Sequence, residues 1–318
     1  MHAVSRRPPL PYGRVMTLAV PQDRIDRPLL GMALMLGFCV LAPLGDAAAK
    51  SLGGRVPVVE ILFVRFLMPI ALIPFTSIGS RAILTDARLL RLTALRAALH
   101  VTATFCFFTS LIYMELADAV AIAFAMPFVL LVIGRVWMDE RVGPRRLAAC
   151  VAGFVGTLLV VQPSFANVGW PALLPLAVAV LFALFMLVTR VLARETDAVA
   201  LQAVGGLIAT PFLAVAMLAG AATGLVAPVW PEGLDAALLL AAGTIGIVAH
   251  LTMTWSLRFV AASTVAPMQY LEIPFAVLIG WLAFGDWPDG FAALGIVVTV
   301  AAGLAVVWLE RQAQTRQV

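Results

Sequence analysis

The stretch PLLGMALMLGFCVLAPLGDAAAKSL, residues 28–52, decides what kind of protein this chain can be. Its first 18 residues carry no charge. A helix rises about 1.5 Å per residue, so a stretch of this length can cross a hydrocarbon layer of about 30 Å. It ends with Asp46 and with Lys50, the only lysine of the chain. The stretch therefore predicts a membrane-spanning helix with two charges that need an explanation.

The whole chain has the same apolar character. Of its 318 residues, 63% are hydrophobic and 12% are charged, whereas soluble domains have about 45–50% and about 25%. This composition excludes a soluble globular enzyme. Cys39, Cys106 and Cys150 lie in apolar runs without the spacing of a disulfide framework, and we expect no metal site and no cofactor. The net charge of +4 comes from arginines between the apolar runs, so we expect the lipid bilayer, and no nucleic acid, as a partner.

Apolar runs recur along the chain, which predicts an all-α membrane protein with ten transmembrane helices. Helix-stopping glycines and prolines occupy the breaks between the runs. Because the breaks are short, neighbouring helices should run antiparallel. The predicted spans cover residues 29–51, 57–78, 91–113, 117–138, 146–163, 170–192, 198–219, 234–257, 263–284 and 289–308.

Arginines separate the two sides of the predicted bundle, because cytoplasmic loops of membrane proteins carry the excess of Lys and Arg. Every second break is rich in arginine, and the breaks between them are nearly free of basic residues. We therefore predict a bacterial inner membrane protein with two cytoplasmic tails, residues 1–28 and 309–318. Outside the amino-terminal tail, the arginines of the predicted cytoplasmic side are Arg81, Arg88, Arg91, Arg141, Arg145, Arg146, Arg190, Arg194, Arg258, Arg311 and Arg316, whereas the other side has only Arg55.

The chain also contains an internal repeat, which predicts two five-helix units over residues 29–163 and 170–308. At an offset of 147 residues, PFVLL at 127–131 aligns with PFAVL at 274–278. Asp139 then aligns with Asp286, and Gly156 with Gly303. More weakly, Lys50 aligns with Arg190 at an offset of 140. Because five is an odd number, the second unit would enter the membrane from the opposite side, as in many secondary transporters.

These features resemble the drug/metabolite transporter superfamily, in particular its EamA type. The resemblance covers about residues 29–308 and rests on GDAAAKSL at 45–52, Arg65, ADAVAIAFAMPFVLL at 117–131 and STVAPMQYLEIPFAVL at 263–278. The second half departs from the family pattern at Asp286-Trp287, where a Gly-Glu pair is common, which weakens any role for Asp286. The resemblance implies a ten-helix inverted-repeat carrier with a central cavity for small polar or amphipathic metabolites, such as amino acids, vitamins or nucleoside-like compounds.

Three charged residues of the first half are candidate substrate-binding residues. Asp46 and Lys50 lie four residues apart on one helix face. Asp46 is too short to reach the interface, so we expect it to face the cavity as the partner of Lys50 or of Arg65. Lys50 either takes part in substrate binding or extends to the outer interface. Arg65 either pairs with Asp46 and faces the cavity, or forms a structural ion pair with Glu60.

The second half offers Gln269, Tyr270 and Glu272, which we expect to cluster near mid-membrane, with Gln269 and Glu272 on one helix face. Pro267 and Pro274 flank them and should distort the ninth helix, freeing backbone carbonyls toward the cavity. Pro127 could kink the fourth helix in the same way, or serve packing alone.

His100 and His250 lie on helices that the repeat relates to each other. They could relay protons, since histidine titrates near neutral pH, or form a hydrogen-bonded contact between helices. For Arg96 and Arg135 we expect side chains that extend to the membrane surface. Phenylalanines such as Phe182 and Phe185 could stack on a planar substrate or serve packing.

These residues favour a secondary transporter of a small molecule over a membrane enzyme or a scaffold. The chain has no phosphate-binding loop of the Gly-x4-Gly-Lys type and no protease or hydrolase motif. Transport would then be coupled to a gradient, to exchange, or to nothing. A homodimer is an alternative to a monomer that the sequence leaves open.

Overall fold

The computed structural model describes residues 27–110, 113, 119, 122–137, 142–161, 170–285 and 290–315, and within these residues the regular structure is helical. The α-helices, numbered in chain order, are α1 (Pro28–Ser51), α2 (Val58–Leu67), α3 (Ser77–Thr85), α4 (Ala87–Ser110), α5 (Met126–Trp137), α6 (Pro144–Val161), α7 (Leu173–Glu195), α8 (Ala198–Ala222), α9 (Gly233–Phe259), α10 (Ala262–Met268), α11 (Glu272–Phe284) and α12 (Gly290–Thr315). The 3₁₀ segments are Met68–Thr76, Trp170–Ala172 and Gln269–Leu271.

Some predicted features lie outside the described residues. They include the amino-terminal tail up to residue 26, the break at 162–169 and the aligned pair Asp139 and Asp286.

The chain is a multi-pass membrane protein, because seven helical stretches among the described residues are long and apolar enough to cross a membrane. The predicted third, fourth and fifth spans are not among the seven. Of the helices in these spans, α4 and α6 have arginines in their first turns, and α5 is described over 12 residues. The seven stretches are Pro28–Ser51, Val58–Thr85, Trp170–Glu195, Ala198–Ala222, Gly233–Phe259, Ala262–Ala283 and Gly290–Leu309.

The predicted ninth span changes geometry near its middle. The helix α10, which contains Pro267, ends at Met268, and the 3₁₀ turn Gln269–Leu271 leads into α11. Pro274 lies in the first turn of α11, where its missing N–H costs no helical hydrogen bond. Pro127 likewise lies in the first turn of α5, directly after a turn at residues 124–125.

Helices from the two halves of the chain pack on each other, so they share one core. The helix α1 packs along α9, α4 along α7, and α6 along α12. The segment from α2 to Thr76 packs on α8, while α1 also contacts α11 and α5 contacts α7. The largest hydrophobic cluster combines buried residues of α1 and α4–α7 with buried residues of α9–α12.

One end of the bundle collects arginines from several breaks, and we call it the arginine-rich end. There Arg88 of α4 pairs with Glu195 of α7, and Arg190 of α7 donates to the carbonyl of Val260. The hydrogen bond and charge of Glu195 raise the pKa of the Arg88 guanidinium, so this pair stays ionised wherever Glu195 is deprotonated. Contacts at this end thus join segments that lie far apart in sequence.

The opposite end holds the carboxyl terminus of α1 and the start of α9. Arg55 pairs there with Asp235 at 3.0 Å. A carboxylate oxygen of Glu60 accepts a hydrogen bond of 3.0 Å from the backbone N–H of Val229. The alternative of a Glu60–Arg65 ion pair was therefore wrong, because Glu60 binds a backbone donor and Arg65 turns toward α1.

The contact between α6 and α12 depends on glycine. A Cβ on Gly295 would lie 2.5 Å from the carbonyl oxygen of Gly156, and a Cβ on Gly156 would lie 2.9 Å from the carbonyl oxygen of Gly295. Backbone atoms of the two helices therefore touch, as small residues permit in membrane bundles.

We predict that Gly295→Ala destabilises the protein, because the added methyl group has to push two helix backbones apart. The expected loss is about 1–3 kcal/mol, typical of overpacking in a tight core. Thermal unfolding in detergent would measure it. Gly280→Ala is the matched control, since a Cβ at Gly280 meets no atom within 4 Å. Equal melting temperatures for the two variants would contradict the contact.

Candidate functional site

Asp46 and Arg65 form an ion pair between α1 and α2. An oxygen of Asp46 lies 3.5 Å from a guanidinium nitrogen of Arg65, and the two side chains are 62% and 22% exposed. Asp46 is only five residues from the end of α1, about 7 Å along the helix. A charge held in lipid is costly, so we interpret the exposure of Asp46 as contact with a water-filled vestibule at the opposite end.

The guanidinium of Arg65 reaches this position because α9 has a glycine beside it. A Cβ on Gly246 would lie 2.9 Å from Nε of Arg65. The glycine leaves the space that lets a long cation lie between α2 and α9. No sequence pattern pairs Arg65 with Gly246, because the two residues lie in different halves of the chain.

Glu272 brings a second carboxylate to the same region. It is the first residue of α11, is partly exposed, and interacts electrostatically with Asp46 and with the neighbouring Cys39 of α1. Two acids therefore interact across the contact between α1 and α11, and one of them pairs with Arg65 of α2. Such a site can bind both a cationic and an anionic group of one small molecule.

The other two polar residues of the predicted ninth span point elsewhere. Gln269 is 1% exposed and donates to the sulfur of Met186 on α7 at 2.6 Å, while its carbonyl oxygen has no hydrogen-bond partner among the described residues. Tyr270 is fully buried and donates to the carbonyl of Phe124 at 3.2 Å. Its ring also fills the space beside Gly153. The three side chains therefore do not converge on one point. Both the ring and the hydroxyl of Tyr270 contact other protein groups.

His100 of α4 and His250 of α9 lie in direct contact, with ring centroids 4.6 Å apart. Phe66 and Phe185 pack on His100 at 5.0 Å and 4.7 Å. Nδ1 of His250 is buried and has no hydrogen-bond partner among the described residues. The structure thus brings the two repeat-related histidines together inside an aromatic cluster. This placement is compatible with both predicted roles, a proton relay and a contact between helices.

Arg96 does not extend to the membrane surface as expected, because its side chain is held inside the bundle at 4% exposure. Nε donates to Thr189 of α7 at 2.9 Å, and a terminal nitrogen donates to Gln202 of α8 at 3.1 Å. Its guanidinium carbon lies 4.8 Å from the ring centre of Phe185, a cation–π distance. The spacing of four between Arg96 and His100 places both on one face of α4 and could have indicated this.

Lys50 is exposed in the last turn of α1, one turn beyond Asp46. This position suits either predicted role, extension toward water or contact with a substrate that enters at the opposite end.

The described residues also form a cavity of about 700 Å³ between α1, α11 and α12. Apolar side chains line it, including Met32, Met268, Phe275, Trp281 and Val300, and none of the charged candidates lines it. Several lining residues are exposed on the outer surface of the bundle, among them Leu278. This cavity suits lipid tails and is separate from the Asp46–Arg65 site.

Comparison with known proteins finds a family match in both halves of the chain. The profile of the EamA-like transporter family matches residues 29–162 and again residues 169–308. A solved crystal structure with 20% sequence identity has a TM-score of 0.71 and covers 90% of this chain and 98% of its own. At that identity the likeness concerns the fold alone.

Three curated relatives come from bacteria. A riboflavin transporter of Rhizobium johnstonii is 34% identical over 204 residues, and the match spans 63% of this chain and 64% of the relative. An S-adenosylmethionine uptake transporter of Rickettsia felis is 22% identical, with 93% of this chain and 98% of the relative covered. A pseudopaline exporter of Pseudomonas aeruginosa is 25% identical, with 82% and 90% covered.

We predict that a cysteine at position 46 reacts quickly with a water-soluble maleimide, because thiolates form in water and not in lipid. The experiment uses a variant in which Cys39, Cys106 and Cys150 are replaced. Leu44→Cys is the matched control, since Leu44 is 41% exposed on the same helix but apolar. Equally slow labelling of Asp46→Cys and Leu44→Cys would place Asp46 in lipid and contradict the vestibule.

Proposed function

The chain belongs to the EamA-like transporter family, and we propose that it is a secondary transporter that carries a small polar or amphipathic metabolite by alternating access. The observation that carries this proposal is the ion pair of Asp46 and Arg65, which lies inside apolar spans with an exposed carboxylate and has Glu272 near enough to interact electrostatically with Asp46. Intramembrane charges with access to water are typical of substrate pathways.

We propose further that ten spans form two inverted five-helix repeats. The two separate matches to the family profile support this arrangement. The packing supports it as well. The proposed repeat relates α1 to α7, α9 to α4 and α11 to α5. The contact α1–α9 therefore corresponds to α7–α4, and the contact α1–α11 corresponds to α7–α5. Both members of each pair of contacts are present, as a pseudo-two-fold axis requires.

The substrate class follows from the chemistry of the site. Arg65 can donate to a carboxylate or a carbonyl, and the two acids can bind an ammonium, a sulfonium or hydrogen-bond donors. Amino acids, vitamins and nucleoside-like compounds combine such groups. The relatives are named for riboflavin, S-adenosylmethionine and pseudopaline, and their names include both uptake and export. A gradient or exchange would therefore set the direction.

We place this transporter in the bacterial inner membrane with the arginine-rich end, and hence both termini, on the cytoplasmic side. The excess of arginine at that end supports this orientation. The vestibule at Asp46 would then open away from the cytoplasm. The curated relatives named above are transporters or exporters, and none is named as an enzyme.

We predict that Asp46→Asn and Glu272→Gln each reduce transport in proteoliposomes at least about tenfold, the loss expected when a hydrogen bond to a charged group is removed. Riboflavin and S-adenosylmethionine serve as probes. Expression and melting temperature should stay near those of the wild type, because both residues are at least partly exposed.

Asp235→Asn is the matched control, since Asp235 pairs with Arg55 away from the site. Its transport rate should equal that of the wild type. Wild-type rates for both Asp46→Asn and Glu272→Gln would show that these carboxylates do not bind substrate.

A further inference from the structure

Arg96 is an unusual residue for the interior of a membrane bundle. Arginine is rarely buried without an acidic partner, yet at 4% exposure its hydrogen bonds go to neutral oxygens of Thr189 and Gln202. Among the described residues no carboxylate lies within 4.0 Å of it. A guanidinium has five donors, so this one retains the capacity to bind a further acceptor.

Arg96 and Arg65 occupy corresponding places in the bundle. Arg65 of α2 lies against Gly246 of α9, and Arg96 of α4 lies against Gly205 of α8, whose Cβ would be 3.3 Å from a terminal nitrogen. The proposed repeat relates α2 to α8 and α9 to α4, so the α2–α9 contact corresponds to the α8–α4 contact. Each of the two contacts therefore holds one guanidinium beside a glycine.

Both arginines also lie near enough to the histidine pair to interact with it electrostatically. Each of them interacts electrostatically with His100, and each interacts with His250. Arg65 lies about 10 Å along α2 from the opposite end, and Arg96 lies about 14 Å along α4 from the arginine-rich end, at 1.5 Å per residue. Each guanidinium near the histidine pair thus comes from a helix that enters the bundle from a different end.

The exposures of equivalent groups differ between the ends. Arg65 is 22% exposed beside a strongly exposed Asp46, whereas Arg96 is 4% exposed. Lys50 is exposed, whereas Arg190, its counterpart in the sequence alignment, is 3% exposed and donates to a backbone carbonyl. Of these equivalent groups, those toward the opposite end are exposed and those toward the arginine-rich end are buried, which we interpret as a state open to the opposite end.

We propose that Arg96 is the substrate-binding guanidinium of the state open to the arginine-rich end, the counterpart of Arg65 in the state seen here. This inference rests on the proposed transport function. When that end opens, acceptor oxygens of the substrate, in a carboxylate or a carbonyl group, replace Thr189 and Gln202. A charged acceptor makes a hydrogen bond roughly twice as strong as a neutral one, so a carboxylate would favour this exchange of partners.

The test uses full-length protein reconstituted in one orientation, with S-adenosylmethionine and riboflavin as probes. Exchange assays give a half-saturating concentration for each face separately. Arg96→Gln should raise that concentration at least about tenfold at the arginine-rich face and leave it within about twofold at the opposite face. Arg65→Gln should show the reverse. If Arg96→Gln does not fold, Arg96→Lys keeps the charge but loses the planar donor pair, and should show the same one-sided change.

Arg88→Gln is the matched control, because it removes a guanidinium at the same end that pairs with Glu195 and does not contact Thr189 or Gln202 in the described structure. Its half-saturating concentrations should match those of the wild type. Equal changes at both faces for Arg96→Gln, or the same one-sided change for Arg88→Gln, would show that Arg96 does not bind substrate and would overturn the inference alone. Wild-type vesicles that exchange neither probe would contradict the proposed function, and the inference would fail with it.

Discussion

The cost of placing a charge in hydrocarbon controls the arrangement of this bundle. Each ionised side chain within a span needs water, a partner charge or several hydrogen bonds. Asp46 and Arg65 have both water and each other, whereas Arg96 has neutral oxygens and an aromatic ring. The same constraint therefore yields a wet region toward one end of the molecule and a dry polar region toward the other.

Glycine makes these arrangements possible, because a helix without a Cβ leaves room for a side chain or a second backbone. Gly246 and Gly205 accommodate the guanidinium groups of Arg65 and Arg96, and Gly156 lets α6 touch α12. Close packing without side chains suits helices that move as rigid bodies, since the contact contains few rotamers to rearrange. All three contacts join a helix of the first half to a helix of the second half, so in a carrier they would lie where the two halves move against one another.

Much of the architecture could be predicted from the sequence. The apolar runs predicted a multi-pass helical membrane protein, and the motifs around Arg65 and Pro127 predicted the family, both of which are confirmed. Asp46 was expected to pair with Lys50 or with Arg65, and in the structure it pairs with Arg65. Gln269, Tyr270 and Glu272 were expected to cluster, but they diverge toward α7, α6 and α1. A change from α-helical to 3₁₀ geometry rotates successive side chains, and the sequence does not specify that rotation.

Composition and periodicity determined by themselves that the chain crosses a membrane as helices, because burying apolar surface and satisfying backbone hydrogen bonds allow little else in lipid. They also identified which polar residues lie within the spans. The tertiary structure alone decided which of those residues meet, that His100 contacts His250, and that Arg96 is buried while Asp46 is exposed. These outcomes depend on how helices from opposite halves are rotated and spaced, and residues distant in sequence set both.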